Sequence, residues 1–212
     1  TYFGLTTWVD EAYNDVGFST IHNIDISGKT DRISYYFSGG YNRQNGMFKY
    51  GNDIYNRYNL RTKLQFKLTD WWSLNSNVSL TTSDYDYANA MTNTYKQMYR
   101  KNPMDMVKNP DGTWTDASVG TLGAFAEGGR ATDWKTNTNI NLSTKIDVIK
   151  DVFFVQGTFA FSNTKTRSNW YNLPVTYRNG PELPVLTFNP ISTVSDASSS
   201  NSDTKHILFD VY

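Results

Sequence analysis

Residues 54–68, IYNRYNLRTKLQFKL, separate by parity. Even positions hold Ile54, Asn56, Tyr58, Leu60, Thr62, Leu64, Phe66 and Leu68; odd positions hold Tyr55, Arg57, Asn59, Arg61, Lys63, Gln65 and Lys67. Every charge lies in one set and nearly every aliphatic group in the other. A period of two belongs to a β-strand, whose side chains alternate between faces. Soluble strands average about 5–6 residues, whereas a tilted membrane-crossing strand needs about 9–11. An oily face and a wet face on so long a strand suit a transmembrane β-barrel wall.

The alternation recurs. In 33–41 the odd positions carry Ile33, Tyr35, Phe37, Gly39 and Tyr41; in 72–82 the even positions carry Trp72, Leu74, Val78 and Leu80. In 138–148 Ile140, Leu142, Ile146 and Val148 oppose Asn139, Asn141, Ser143, Lys145 and Asp147. In 153–161 Phe153, Val155, Phe159 and Phe161 form the apolar set, with Phe154 interrupting the polar one. Weaker patterns at 21–27 and 204–212 bring the expectation to about seven strands. No charge falls on the apolar parity mid-strand, where it costs roughly 2–4 kcal/mol in a bilayer; Arg43 and Lys205 share that parity only at strand ends.

Links alternate in length: 28–31, 69–71 and 149–151 are tight, whereas 43–53, 83–135 and 163–203 are long. Short periplasmic turns and long extracellular loops give outer-membrane barrels this order. On that orientation, 1–20 lies on the cell-exterior side. Within the first large loop, 92–101 reads as a short helix capped by Asn93 or Thr94, and Asn109-Pro110-Asp111-Gly112 reads as a turn. The second holds four prolines and the run Ser198-Ser199-Ser200-Asn201-Ser202, expected to be mobile.

Composition narrows the choices. The 212 residues carry no net charge, and no basic patch has helical spacing, so nothing points to nucleic acid. Without cysteine, thiolate metal sites and disulfides are excluded. A mean hydropathy of −0.58 and the absence of a long apolar run exclude a helical span, but not a barrel, whose strands dilute their apolar residues. The 16% aromatic content is what interfacial girdles would need. Thr1 is preceded by no Met and followed by no signal segment, and Tyr212 ends a strand-like run, which suggests a piece of a longer exported chain.

Four strings in order carry a family resemblance: His22-Asn23-Ile24-Asp25-Ile26-Ser27-Gly28, then Tyr35-Tyr36-Phe37-Ser38-Gly39-Gly40-Tyr41, then Gln44-Asn45-Gly46-Met47, then Tyr58-Asn59-Leu60-Arg61. With Thr69-Asp70-Trp71, Asn102-Pro103 and Asn109-Pro110-Asp111-Gly112, they resemble the start of the barrel in SusC/RagA-type TonB-dependent transporters, outer-membrane proteins of Bacteroidetes. The resemblance covers about 8–114; beyond that it rests on strand spacing. It implies an all-β, antiparallel transmembrane barrel with a plug in its lumen, of which residues 1–212 are one wall segment. It also implies import of a nutrient, usually an oligosaccharide and sometimes a peptide, a SusD-like surface lipoprotein over the mouth, and energy from TonB. The chain is far shorter than that family and holds neither a plug nor a recognisable TonB box, so those contacts are carried over onto no residue here.

Candidate chemistry is sparse. His22 and His206 are the only histidines; both are expected to face the lumen or an interface, and no catalytic or metal role, and no cofactor, is assigned. Asp84 and Asp86 flank Tyr85 and have the oxygen chemistry for calcium, but without an EF-hand pattern they read more simply as solvated acids. There is no G-x-S-x-G elbow, and no enzyme activity is expected. Arg57, Arg61, Lys63 and Lys67 are expected to face the lumen, steering an anionic substrate or, more simply, pairing with acids on a plug or on neighbouring strands. Tyr85, Tyr87, Tyr95, Tyr99, Trp114 and Trp134 are candidate contacts for substrate or lid, because such rings stack on sugars and favour partner interfaces; the simpler reading packs them within the loop or in the outer girdle. The rivals are a passive porin or adhesin barrel and a soluble carbohydrate-binding β-domain.

Overall fold

The computed structural model describes residues 4–51, 53–149, 152–189 and 195–212, with backbone alone at 92, 93 and 95. In chain order its strands are β1 (Ser19–Lys29), β2 (Ile33–Asn45), β3 (Ile54–Lys67), β4 (Trp72–Ala88), β5 (Arg130–Ile149), β6 (Phe153–Asn172), β7 (Val175–Tyr177), β8 (Leu186–Phe188) and β9 (Asp196–Val211). Among the described residues, seven of these make one antiparallel sheet in the order β1-β2-β3-β4-β5-β6-β9, while β7 and β8 pair separately. The sheet does not close: β1 and β9 are edges. The fold is all-β and antiparallel, a segment of barrel wall.

The alternation read from the sequence is the partition between faces. Directly paired residues in adjacent strands share a face. Ile26 pairs with Phe37, Phe37 with Thr62, Thr62 with Val78, Val78 with Ile140, Ile140 with Phe161 and Phe161 with Ile207, one row across all seven strands. The next row towards the tight-turn end holds Tyr35, Leu64, Leu142, Phe159 and Phe209. These rows make an apolar belt without a covering layer: Leu60 is 55% exposed and Ile207 62%, and no belt residue joins the buried core.

The belt slips as it crosses the sheet. The belt ends towards the long-loop end at Tyr58 on β3, Leu80 on β4, Ile140 on β5 and Phe161 on β6; beyond these the same parity turns mainly polar, apart from isolated residues such as Ile54 and Trp134. Phe161 registers through Ile140 and Val78 with Thr62, four positions from Tyr58 along β3.

The strands run farther than their alternation does. Tyr85, Tyr87 and Trp134, expected in a loop at 83–135, lie on β4 and β5, and the connection shortens to 89–129. The loop expected at 163–203 shortens to 173–195, and Ser198–Ser202 is not a mobile run but part of β9, with Ser198 opposite Trp170 and Ser202 opposite Thr166. The reason is physical: beyond the belt both faces carry Ser, Thr, Asn and charged groups, so backbone pairing persists where the two-residue hydrophobic signal has ended. The expected turn at 149–151 falls partly outside the described residues.

Burial is concentrated at the long-loop end. The connections fold into a cap containing α1 (Trp8–Ala12), α2 (Met91–Met98), α3 (Asp116–Ser118), a π-helical turn (Val119–Gly123) and α4 (Ala124–Glu127). Trp8, Ala12, Met98, Trp114, Val119, Leu122 and Val175 form its core. The opening segment joins it: Gly4 N donates to Met104 O at 3.0 Å, Thr6 N to Pro103 O at 2.7 Å and Trp8 Nε1 to Asn102 O at 3.0 Å. Helix α2 starts one position before the expected 92, after Ala90; Thr94 does not cap it but donates its hydroxyl to Thr121 O, tying α2 to the π turn. At 116–118 Thr115 and Ser118 cap reciprocally, each side chain accepting from the other's backbone N–H. Gly129, between α4 and β5, has φ +113° and sits so close to Tyr171 O that any Cβ would collide. Residues 109–112 form the expected turn, with Gly112 N donating to Asn109 O at 2.9 Å.

Candidate functional site

The sheet's second face is its polar one. Arg57, Arg61, Lys63 and Lys67 all lie on it and are exposed. Their surroundings are amides, hydroxyls and a phenol rather than acids. Arg57 Nε donates to Asn59 Oδ1 at 3.1 Å, Arg61 Nε donates to Asn77 Oδ1 at 3.4 Å, and Lys63 Nζ stands 5.9 Å from the Tyr36 ring centre. Among the described residues none of the four makes an ion pair, so the expected pairing with acids on neighbouring strands is not present within this sheet. Asp25, two positions from Lys63 across β2, is instead bonded by Tyr36 Oη at 2.8 Å.

The remainder of this face is a neutral hydrogen-bonding lattice. Thr81 Oγ1 donates to Asn59 Oδ1 at 3.1 Å, Ser162 Oγ to Asn139 Oδ1 at 2.8 Å and Thr164 Oγ1 to Asn137 Oδ1 at 2.9 Å. Such cross-strand bonds hold the Asn side chains in set directions. A shallow concavity of about 530 Å³ lies over Tyr36, Arg61, Lys63, Asn77, Asn141 and Gln156. It offers donors and acceptors to a polar solute, with positive charge on one flank.

The same face carries aromatics near the cap. Tyr85 and Tyr87 stack with centroids 4.5 Å apart, and Tyr55 meets Tyr85 edge-on at 6.2 Å. Tyr87 Oη donates to Asp133 Oδ2 at 3.1 Å, and Ser168 Oγ donates to the other carboxylate oxygen. Asp53, Tyr55 and Tyr85 line a hollow of about 230 Å³ with Gln44 and Gly46. Asp53 and Asp133 were not among the residues singled out from sequence. The signal for Asp133 is its register opposite Tyr85, which a single strand does not reveal; Asp53 precedes β3 and has no such register partner.

The other candidate rings diverge. Trp114 is 4% exposed: its ring packs edge-on to Tyr50 at 5.8 Å, and Nε1 donates to Glu127 Oε1 at 2.9 Å. It is a cap-core residue and presents no ring face to a ligand in this arrangement. Tyr99 is 62% exposed on the cap. Trp134 takes the parity of the apolar belt, beyond its upper edge, with the Arg167 guanidinium 5.6 Å from its ring. The Tyr95 side chain lies outside the described residues.

Asp111 in the cap and Asp84 and Asp86 at a strand end are partnered. Burial raises the Tyr50 phenol above its usual pKa, with the Glu11 charge adding to it. Hydrogen bonds from the Thr113 side chain and backbone hold the Asp111 carboxyl below its ordinary value, helped by Arg178 at 3.2 Å. Asp84 accepts from Asn56 Nδ2 at 2.9 Å and Asp86 pairs with Arg130 at 2.7 Å, so the two have separate partners rather than one shared centre. His22 lies not on the lumen side but on the belt parity of Ile24 and Ile26, at the rim, where it stacks on Tyr41 at 6.4 Å; His206 is exposed on the polar face of β9. Among the described residues no three His, Cys, Asp or Glu side chains converge as metal ligands.

No family model matches the chain, and no curated protein matches it in sequence. Solved structures do. The RagAB peptide importer in its closed-closed state superposes with a TM-score of 0.59 at 18% identity, over 93% of this chain and 23% of that one. Its open-open state gives a TM-score of 0.59 at 18% identity, over 93% and 22%. The chain therefore spans less than a quarter of the length of these neighbours, and what it shares with them is the fold of the wall and its cap.

Proposed function

We propose that this chain is part of the lipid-facing wall and mouth of a TonB-dependent importer in a bacterial outer membrane. The observation that carries the reading is the uncovered belt and its slip. Strands in such barrels tilt by about 35–45° and lie about 4.8 Å apart, so a level hydrocarbon layer crosses each successive strand about 4 Å further along. That is just over one residue per strand, and roughly four from β3 to β6, in agreement with the displacement from Tyr58 to Thr62. A soluble sandwich would cover this face with a second layer.

The open edges extend the reading. Unpaired backbone in lipid is too costly to persist, so β1 and β9 pair with further strands in the assembled barrel. The cap then lies outside the cell, where the wall meets a SusD-like lipoprotein lid, and the polar face looks onto a lumen holding the plug that TonB engages. The substrate class best supported is peptide: amides and hydroxyls line the polar face, and the neighbours in fold are structures of a peptide importer. Oligosaccharide is the second reading, favoured by the Tyr85–Tyr87 stack beside Asp133. The reading includes no chemical step.

The test is uptake of fluorescent oligopeptides and oligosaccharides by cells with and without the full-length gene, with and without TonB. Peptide uptake lost in both deletions supports the proposal. Uptake persisting without TonB overturns it in favour of a passive pore, and selective loss of glycan uptake replaces peptide by glycan.

A further inference from the structure

We infer that the outer face of β5, β6 and β9, just beyond the apolar belt, binds the phosphate of an anionic lipid headgroup. This rests on the membrane-wall reading above. Lys165, Arg167 and Lys205 share the parity of Phe159, Phe161, Ile207 and Phe209. Lys205 is two residues past Ile207, Lys165 four past Phe161 and Arg167 six past it. At about 3.4 Å per residue and roughly 40° of tilt, they start about 5, 10 and 16 Å beyond the hydrocarbon edge. The Lys205 and Lys165 side chains reach back into a headgroup layer about 5–8 Å thick, whereas Arg167 stands above it with its guanidinium over the Trp134 ring.

Their pairing sets them apart from the rest of the rim. On this face Asp86 is matched by Arg130 at 2.7 Å and Asp84 by Asn56 at 2.9 Å. At β6 and β9 three cations face one carboxylate, Asp203, which Lys205 approaches at 3.4 Å. Among the described residues Lys165 and Arg167 make no ion pair; Arg167 lies over Trp134 instead. A concavity of about 380 Å³ opens between Trp134, Thr136, Lys165, Arg167, Asn201 and Asp203. Its floor is polar, Lys165 and Arg167 stand in its wall with Asp203, Lys205 lies just outside the lining, and an indole of the kind that settles at membrane interfaces flanks it. A phosphate is the anion that a membrane supplies at this depth, and each cation there adds affinity for acidic lipid.

The test is native mass spectrometry of the detergent-solubilised full-length protein titrated with phosphatidylglycerol or phosphatidylcholine. The wild type is expected to retain phosphatidylglycerol about tenfold better. The K165Q/R167Q/K205Q variant should lose that preference, whereas K135Q, which removes a polar-face lysine, should keep it. Equal retention by the wild type, or an unchanged preference in an assembled triple variant, overturns the site. Should the triple variant fail to assemble, photoactivatable phosphatidylglycerol on the wild type decides: labelling at 163–168 and 203–206 supports the site, and labelling confined elsewhere overturns it. Inorganic phosphate alone should not displace the lipid; displacement would mean a soluble anion site instead. A protein recovered in the aqueous phase without detergent overturns the membrane reading as well, whereas an integrated protein without lipid preference overturns only this inference.

Discussion

Tyr41 and Tyr58 stack across β2 and β3, with ring centroids 5.0 Å apart, and Tyr58 is the last belt residue of its strand towards the cap. Tyr41 Oη also donates to Asn56 Oδ1 at 3.1 Å, so the pair joins the apolar belt to the polar rim. An aromatic pair of this geometry contributes about 0.5–1.5 kcal/mol beyond its buried area. Tyr58→Ala in the full-length protein should lower unfolding stability by at least that amount, and Tyr58→Phe should stay within about 0.5 kcal/mol of wild type. Urea unfolding in lipid vesicles measures both; equal losses would mean that the hydroxyl, not the ring, matters.

The contrast between belt and rim explains what the sequence made legible. Wherever one face is apolar and the other polar, as at Leu60, Leu64 and Phe66, the period of two is plain and marks the strand. At Ser198–Ser202 and at Thr164–Asn169 both faces are polar, and the strands exist because backbone groups pair, which leaves no mark in one strand read alone. The candidate site divided in the same way. The face of Arg57, Arg61, Lys63 and Lys67 followed from parity. The Tyr85–Tyr87–Asp133 group did not, because it assembles two strands about 46 residues apart in sequence. Trp114 was singled out for its type; its burial depends on contacts from Tyr50, Glu127 and Lys108 that spacing cannot disclose.

The cap should unfold separately from the wall. Trp114→Ala removes a buried indole and leaves Glu127 without its donor, a loss of about 3–5 kcal/mol. Hydrogen exchange should accelerate by orders of magnitude at 91–98 and 116–127 while β2 to β5 within the belt stay protected. Uniform acceleration over both regions would show that cap and wall form one cooperative unit.

The turn at Asp111 should respond to acid. Its carboxyl is held below the ordinary value by Thr113, with Arg178 assisting, so it binds a proton less readily folded than unfolded. Its contribution is therefore complete above the ordinary carboxylate pKa of about 3.9 and is lost as pH falls through the lowered folded value. Exchange at 109–114, taken relative to the intrinsic amide rate at each pH, should rise only below about pH 4 in the wild type. In Asp111→Asn it should be faster throughout, with that acid step gone; an acid step of equal size in the variant would assign it to another group.

The partition of faces is tested most directly at Leu64 and Gln65, neighbours in sequence on opposite sides of β3. Leu64 pairs with Tyr35 and Ser76 on the belt side, and Gln65 with Ser34 and Asn75 on the polar side. An arginine on a lipid-facing mid-belt position costs roughly 2–4 kcal/mol, and one on the lumen side costs little. The decisive measurement is the amount of heat-modifiable, outer-membrane-integrated full-length protein for Leu64→Arg against Gln65→Arg at matched expression. Strong depletion of Leu64→Arg beside near wild-type Gln65→Arg is the expected result; equal assembly of the two, or the reverse order, would contradict a wall with hydrocarbon on the Leu64 side.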